Sequence, residues 1–515
     1  GIMAIPMFAA IYIGSYEVSL KIFEISSRKK IHEVDYIRSR LDLGRDVYQK
    51  GAIGYERVDE LCEILGEFSS IMAGYKVTEH EVYASAVLRD SSNELFVVHQ
   101  VFLRTGFMIK VISNSEYRFI GYKSIAAREP FEEMIQTSAA VVDIGGSGIQ
   151  ITTFEKGQLQ TTQHLEMGTV RLRELLNKRG QALQLYETQI EEYVNKKLEV
   201  FRALYVESGV DYVIFMSDYC EELIAHIEKK HTEGNVVKAE RFIKYIEKLQ
   251  KKSVEEICME LNLANAKDPL IVPSIIMFKS MVSIMDAENV WVPGVNISDG
   301  IAYDYAERNH LVKSTHDFEG DILAAAQNLS RHFNSYSPHI KALTRLSTKI
   351  FDTMKKVHGM ESRERLLLQV AVILHDCGKY ISLANSPHCA YEIIMASEII
   401  GLSHREREIV ALTVLYNTLQ LDDYEEVSDR IDQEGYLIVA KLSAILRVAN
   451  ALDQSHKQKF QDIRIVLKDR NLVITVESLE DISLEQALFD AKTVYFENVF
   501  SMKPVLKEKR VYNYH

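Results

Sequence analysis

Val141-Val142-Asp143-Ile144-Gly145-Gly146-Ser147-Gly148 is the stretch that decides how this chain is read. Two β-branched residues lead into an acidic one, then into glycines and a serine. That is the pattern of a strand delivering one carboxylate to a turn whose exposed backbone N–H groups can hold a phosphate. Near the N-terminus, Phe8-Ala9-Ala10-Ile11-Tyr12-Ile13-Gly14-Ser15 follows the same plan, an apolar strand and then Gly-Ser. A single turn of this kind also fits a plain hairpin or a helix cap. Two of them, about a small domain's length apart, point to two related lobes facing one phosphate chain.

Outward from these turns the pattern is that of α/β domains. A strand, a tight turn and a second strand (Val18 to Ile25) open the chain. Apolar residues at helical spacing follow (Val58, Leu61, Ile64, Leu65, Phe68, Ile71 and Met72). A strand over Val82 to Ala86, a helix over Asn93 to Thr105 and a strand over Met108 to Ile112 continue the alternation. The second lobe restarts near residue 138 with a two-strand unit, Val141 to Phe154, turning through Gly157. Long helices over 170–206 and a strand at Tyr212 to Met216 come next. From about 316 to 455 strand signals vanish and amphipathic helices dominate. The tail returns to strands at Ile463 to Leu467 and Leu472 to Val476, a helix over Leu484 to Asp490, and a last strand near Thr493 to Phe496.

Length and composition bound the rest. A chain of 515 residues is too long for one core, and 47% hydrophobic residues with only eight prolines predict an ordered, globular protein. The net charge of −13 argues against general nucleic-acid or membrane binding, and leaves any polyanionic ligand in need of a locally basic channel. The pairs Lys196-Lys197, Lys229-Lys230 and Lys251-Lys252, and Lys507, Lys509 and Arg510 around Glu508 at the tail, read as solvated helix faces. Five scattered cysteines without a Cys-x-x-Cys pair fit free thiols in a reducing compartment. No apolar run reaches transmembrane length, and Ile2 to Ile13 reads as a first strand, not a signal peptide. A cytoplasmic location is expected.

These segments, with Ala84 to Asp90, Ile112 to Tyr117, Met167 to Leu172, Leu374-His375-Asp376-Cys377-Gly378-Lys379 and Leu446 to Asp453, resemble the exopolyphosphatase/guanosine-pentaphosphate phosphatase (Ppx/GppA) family. The resemblance implies two ribonuclease-H-like lobes of the actin-like ATPase type (1–124 and 125–312). An HD-type helical domain (313–455) and a small α+β cap (456–515) would follow. It also implies magnesium-assisted hydrolysis of a terminal phosphoanhydride in inorganic polyphosphate or a guanosine polyphosphate, by a homodimer. On that resemblance Glu116 falls on the general base and Asp143 on the magnesium ligand. Gly14, Ser15, Arg89, Gly145, Gly146 and Ser147 fall on the phosphate contacts. His339, His375 and Asp376, with His388 at plausible spacing, fall on a second, HD-type metal site.

The departures from the family pattern carry equal weight. Tyr12-Ile13-Gly14-Ser15-Tyr16-Glu17 stands where the family has Asp-x-Gly-Ser-Asn-Ser, so a metal-side carboxylate has become a phenol. Ser217-Asp218-Tyr219 replaces a Gly-Gly-Thr turn, Ser298-Asp299-Gly300 replaces Arg-Glu-Gly, and Asn450 stands where an HD-type site has its last aspartate. Three readings stay open: an exopolyphosphatase-like hydrolase; a catalytically degenerate relative that binds a phosphorylated ligand or a protein partner and regulates; and a phosphohydrolase acting through the HD half.

Overall fold

The computed structural model describes residues 6–26, 30–177, 183–227, 235–314, 316–456 and 460–510. The chain divides into two compact units, Gly1–Asp317 and Phe318–His515.

Unit 1 holds two sheets built alike. In the first, β1 (Met7–Ile13), β2 (Glu17–Ile25), β3 (Ile31–Arg40), β4 (Glu79–Ala84) and β5 (Ile109–Val111) lie in the order β3-β2-β1-β4-β5. Strands β1, β2 and β3 are antiparallel, and β4 and β5 run parallel to β1. In the second, β6 (Ser138–Ile144), β7 (Ile149–Glu155), β8 (Gln158–Leu165), β9 (Tyr212–Phe215), β10 (Val236–Lys238) and β11 (Asn289–Trp291) lie in the order β10-β11-β9-β6-β7-β8. Apart from the added edge strand β10, the arrangement of three antiparallel and two parallel strands repeats. The turn between β7 and β8 puts Lys156 and Gly157 at φ of 53° and 78°, a twist that suits a two-residue hairpin. The ten-residue strand β3, with no residue fully buried and half of them exposed, carries no apolar alternation for a sequence reading to find.

The central strand β1 is buried on both faces, which is why it reads as a continuous apolar run. Ala9, Ile11 and Ile13 join a core with the helix Tyr55–Gly74. Phe8 and Ala10 join another core with Ile120, Ile297, Ile301 and Ala302, from the helices Asn114–Ala126 and Ile297–Arg308. Those two helices touch closely, since a Cβ on Gly300 would sit 2.1 Å from the Ile120 carbonyl oxygen. The helix Ile297–Arg308 therefore follows the last strand of the second sheet but packs beside the first.

Unit 2 is a helical body, from Phe318–His332 to Gln433–His456, closed by the sheet β12 (Phe460–Lys468), β13 (Asn471–Ser478) and β14 (Lys503–Arg510). One core serves both parts, because Leu472, Ile474 and Val476 pack with helix residues such as Leu442 and Ile445. Two expectations need correcting. Thr493 to Phe496 is not a strand: Val494–Phe500 is helical, and the strand comes afterwards as β14. Aromatic and β-branched residues suggested a strand, but Phe496 and Phe500, one helical turn apart, pack with ring centroids 4.7 Å apart. The segment Gln433–Asp453 is long and apolar enough to cross a membrane, contrary to the sequence reading, yet 72% of its apolar window is buried, as in a core helix. All five cysteines are free.

Candidate functional site

Side-chain alternation decides what the two glycine turns present. Tyr12 shares the β1 face of Phe8 and Ala10, so it points toward the helix Asn114–Ala126. There its ring centroid lies 6.2 Å from that of Tyr117. In the second sheet Val142 and Ile144 point into the core, which turns Asp143 the other way. The two directions converge: Tyr117 donates its phenolic proton to Asp143 Oδ2 at 2.5 Å. A cavity of about 590 Å3 opens here, lined among others by Gly14, Ser15, Arg89, Asn114, Asp143, Gly145, Gly146 and Ser147. The structure thus brings together the predicted phosphate-turn residues, Arg89 and Asp143.

Glu116 is not among the lining residues. It is the third residue of the helix Asn114–Ala126 and forms a capping box with Ser113. The Ser113 Oγ accepts from the Glu116 amide at 3.2 Å, and Glu116 Oε1 accepts from the Ser113 amide at 3.4 Å. A base must reach the water it activates. The geometry gives Glu116 a structural task at the helix end, and its neighbour Tyr117 takes the position facing Asp143.

The turns also meet each other. A Cβ on Gly146 would lie 1.9 Å from Ser15 Oγ, so only glycine allows this approach. The hydroxyls of Tyr48 and Ser147 meet at 2.7 Å, and Arg171 bonds both the Ser147 carbonyl (2.9 Å) and Asp90 (2.6 Å). The Ser147 side chain is thereby engaged in joining the lobes. In the third turn Tyr219 takes φ of 75°, a left-handed conformation costly for an aromatic residue, and its hydroxyl donates to Asp268 at 2.8 Å. Asp299 caps its own helix through Asn296 and pairs with the buried Lys21 at 2.8 Å.

Burial pushes the Asp143 carboxyl up to about 7, with Asp218 adding to the rise and the Tyr117 proton opposing it. Burial likewise raises the phenols of Tyr12 and Tyr117, so both stay protonated at neutral pH. Magnesium favours hard, anionic oxygens in near-octahedral geometry. Here one Asp143 oxygen is taken by a phenol, its ladder partner Gln150 is a neutral amide, and Tyr12 fills the corresponding place on the first turn. This donor set fits a magnesium ion poorly. The remainder of the cavity is not basic either: Arg38 is held by Glu17 (2.7 Å) and Asp218 (3.4 Å), and Glu222 and Asp268 also line it. Neither Lys196-Lys197 nor Lys251-Lys252 lines the cavity, and Lys229-Lys230 lies outside the described residues.

In unit 2, His339, His375 and Asp376 offer ligand atoms that all lie within 4.8 Å of one another, a set that can hold a divalent ion. His375 Nδ1 bonds the Val372 carbonyl at 2.6 Å, and His339 Nδ1 bonds the buried Asp453 carboxylate. Both second nitrogens are thus used to orient the rings, as around bound metals. Lys379 meanwhile pairs with Asp376 at 2.9 Å. His388 is not in this group, and Asp453 is the aspartate that faces His339, one helical turn beyond Asn450. Asp453, one helical turn after Asn450 on the same helix, could have been found from that i, i+3 spacing; no sequence signal pointed to Tyr117.

The doubled sheet with a cleft between its halves is the architecture of actin-like ATPase-type α/β lobes. A sequence model described as the Ppx/GppA phosphatase family matches residues 21–309, and one for its domain III matches residues 323–492; the chain belongs to the Ppx/GppA phosphatase family. Among solved structures it is similar to an exopolyphosphatase from Cytophaga hutchinsonii, with 16% identity, a TM-score of 0.51, and 60% of this chain and 99% of that one covered. An exopolyphosphatase-like protein matches at 17% identity and a TM-score of 0.51, covering 59% of this chain and 99% of that one. A family member from Aquifex aeolicus is 20% identical over 59% of this chain and 99% of its own, at a TM-score of 0.49.

Proposed function

We propose that this protein is a catalytically degenerate member of the phosphatase family that binds the phosphoryl end of a small ligand in the interlobe cavity and acts as a regulator. One observation carries the reading: the Tyr117 phenol sits on Asp143, with Tyr12 beside it, where metal and water would need open carboxylate oxygens. The engagement of Glu116 in a helix cap supports it. The acidic remainder of the cavity favours a short phosphorylated molecule over a long polyphosphate chain.

Magnesium-dependent phosphate release from tripolyphosphate and long polyphosphate tests this reading, alongside thermal stability with each ligand. The expected outcome is stabilisation by tripolyphosphate without turnover. Release at about 1 s⁻¹ or faster, the lower part of the enzyme range, abolished by Glu116→Gln, would restore the exopolyphosphatase reading with its magnesium. The elevated Asp143 carboxyl, near neutrality in a cavity, favours a second reading in which Asp143 itself is the base of a slow hydrolase. Loss of release in Asp143→Asn with release intact in Glu116→Gln would select it.

A further inference from the structure

The helix Glu94–Thr105 is apolar on both of its sides. Val97 and Val101 are buried in the core beside the helix Tyr55–Gly74. The opposite side faces water, with Leu95 80%, Phe96 74%, Leu103 62% and Phe102 44% exposed. With His99 these residues fall within one stripe about 120° wide. A helix that is hydrophobic all round is ordinarily buried. This stripe offers on the order of 500 Å2, the upper end of what a monomer leaves uncovered.

The stripe is also a palindrome. Counting from His99, phenylalanines stand three residues away on either side (Phe96, Phe102) and leucines four away (Leu95, Leu103). The fifth positions carry opposite charges, Glu94 before and Arg104 after, and the residues between them include no Lys, Arg, Asp or Glu. A second copy laid antiparallel across a two-fold axis at His99 would set Leu95 on Leu103 and Phe96 on Phe102, twice over. Glu94 of each copy would meet Arg104 of the other, and the two helix dipoles would oppose. Leu95 and Leu103 lie about 6 Å along the helix from His99, near enough for this pairing at ordinary crossing angles. Arg104 gives Nη1 to Asp59 at 2.7 Å, yet its side chain keeps 42% exposure and can reach a second carboxylate. A lipid surface fits the stripe less well, since Arg104 is the one lysine or arginine of the helix and the chain carries −13.

We propose that the helix Glu94–Thr105 is the contact through which two copies of this chain associate, antiparallel about a two-fold axis at His99. The inference does not rest on the proposed function. Two such faces bury about 1,000 Å2 in total, the lower bound for a specific interface, so the dimer is reversible, with a Kd in the micromolar range.

Sedimentation equilibrium of the full-length protein between about 1 and 100 μM tests the proposal. The parent is expected to pass from monomer to dimer over that range. Leu103→Asp, a change at an exposed position, should weaken association at least about tenfold. Glu94→Arg and Arg104→Glu should each weaken it about three- to tenfold, by setting like charges opposite one another twice. Mixing those two variants should restore the dimer, because each then supplies the charge that the other lacks; recovery also shows that both are folded. A parent chain monomeric throughout that range, whether or not it binds phosphatidylcholine vesicles, overturns the inference. So does a dimer indifferent to Leu103→Asp, or a mixture that associates no more tightly than its components.

Discussion

The two glycine turns of unit 1 share a backbone and differ in chemistry. Gly14 N–H donates to the Glu17 carbonyl at 2.8 Å, and Gly145 N–H donates to the Gly148 carbonyl at 3.0 Å, so each turn is closed by the same bond three residues on. Two residues before each first glycine comes the side chain aimed at the cleft: Tyr12 in one lobe, Asp143 in the other. The backbone needs only its hydrogen bond and the absence of a clash, and it has persisted in both. The side chain has no such constraint, so one turn carries a carboxylate and the other a phenol. One turn backbone can therefore present different chemistry in the two lobes.

The sharpest way to break this comparison is to neutralise the retained carboxylate. Burial raises the Asp143 carboxyl from 3.8 to about 7, so the unfolded chain gives up this proton first as pH rises. Asp143 thus costs stability progressively between those pH values, and the cost stays constant above them. Asp143→Asn should be near neutral at pH 4 and gain stability relative to the parent up to pH 7, by an amount of order a few kcal/mol. Denaturant titrations of both proteins across that range would show the gain; a difference independent of pH would mean that Asp143 ionises normally.

The two turns should also respond unequally to a methyl group. Gly146→Ala meets Ser15 Oγ at 1.9 Å and Val170 Cγ2 at 2.9 Å, whereas Gly14→Ala meets only the Glu17 carbonyl at 3.0 Å. The first should cost about 1–3 kcal/mol, as overpacking does, and the second less, by shifts in the denaturation midpoint. Equal costs would show that the turns do not meet as described.

Tyr117→Phe sharpens the comparison from the helix side. It removes the one phenolic donor to Asp143 Oδ2 among the described residues and should cost about 1–2 kcal/mol above pH 7. Because the Tyr117 proton holds the Asp143 carboxyl down, the variant should also move its titration to higher pH, measurable by carbon NMR of the carboxyl. The smallest effect is expected at Glu116. Glu116→Ala loses half of a capping box, about 0.5–1 kcal/mol, and should leave the stabilisation by tripolyphosphate unchanged in thermal denaturation.

Much of the frame was legible in the residues. Val141 to Gly148 and Phe8 to Ser15 announced their strands and turns through apolar runs that stop at glycine. The helix over 55–75 appeared through its 3.6-residue period. What stayed hidden was local in sequence but decided at a distance. Strand β3 has no apolar face because it is an exposed edge. Val494–Phe500 has strand-forming residues but turns helical where Phe496 and Phe500 find the core. The two glycine turns were legible because glycine and serine serve the backbone, which short sequence stretches encode. That Glu116 closes a capping box while the adjacent Tyr117 reaches Asp143 was not legible, because it depends on how the helix packs.

Strand and helix periodicity, the doubled turn and the single acidic residue at its mouth were determined by the chain itself, since they follow from each residue's own conformational and solvation preferences. Whether Glu116 or Tyr117 would face Asp143, and whether Asn450 or Asp453 would face His339, was decided only by the tertiary structure. Consecutive residues on a helix point about 100° apart, so the packing of that helix against the sheet selects which one enters the site.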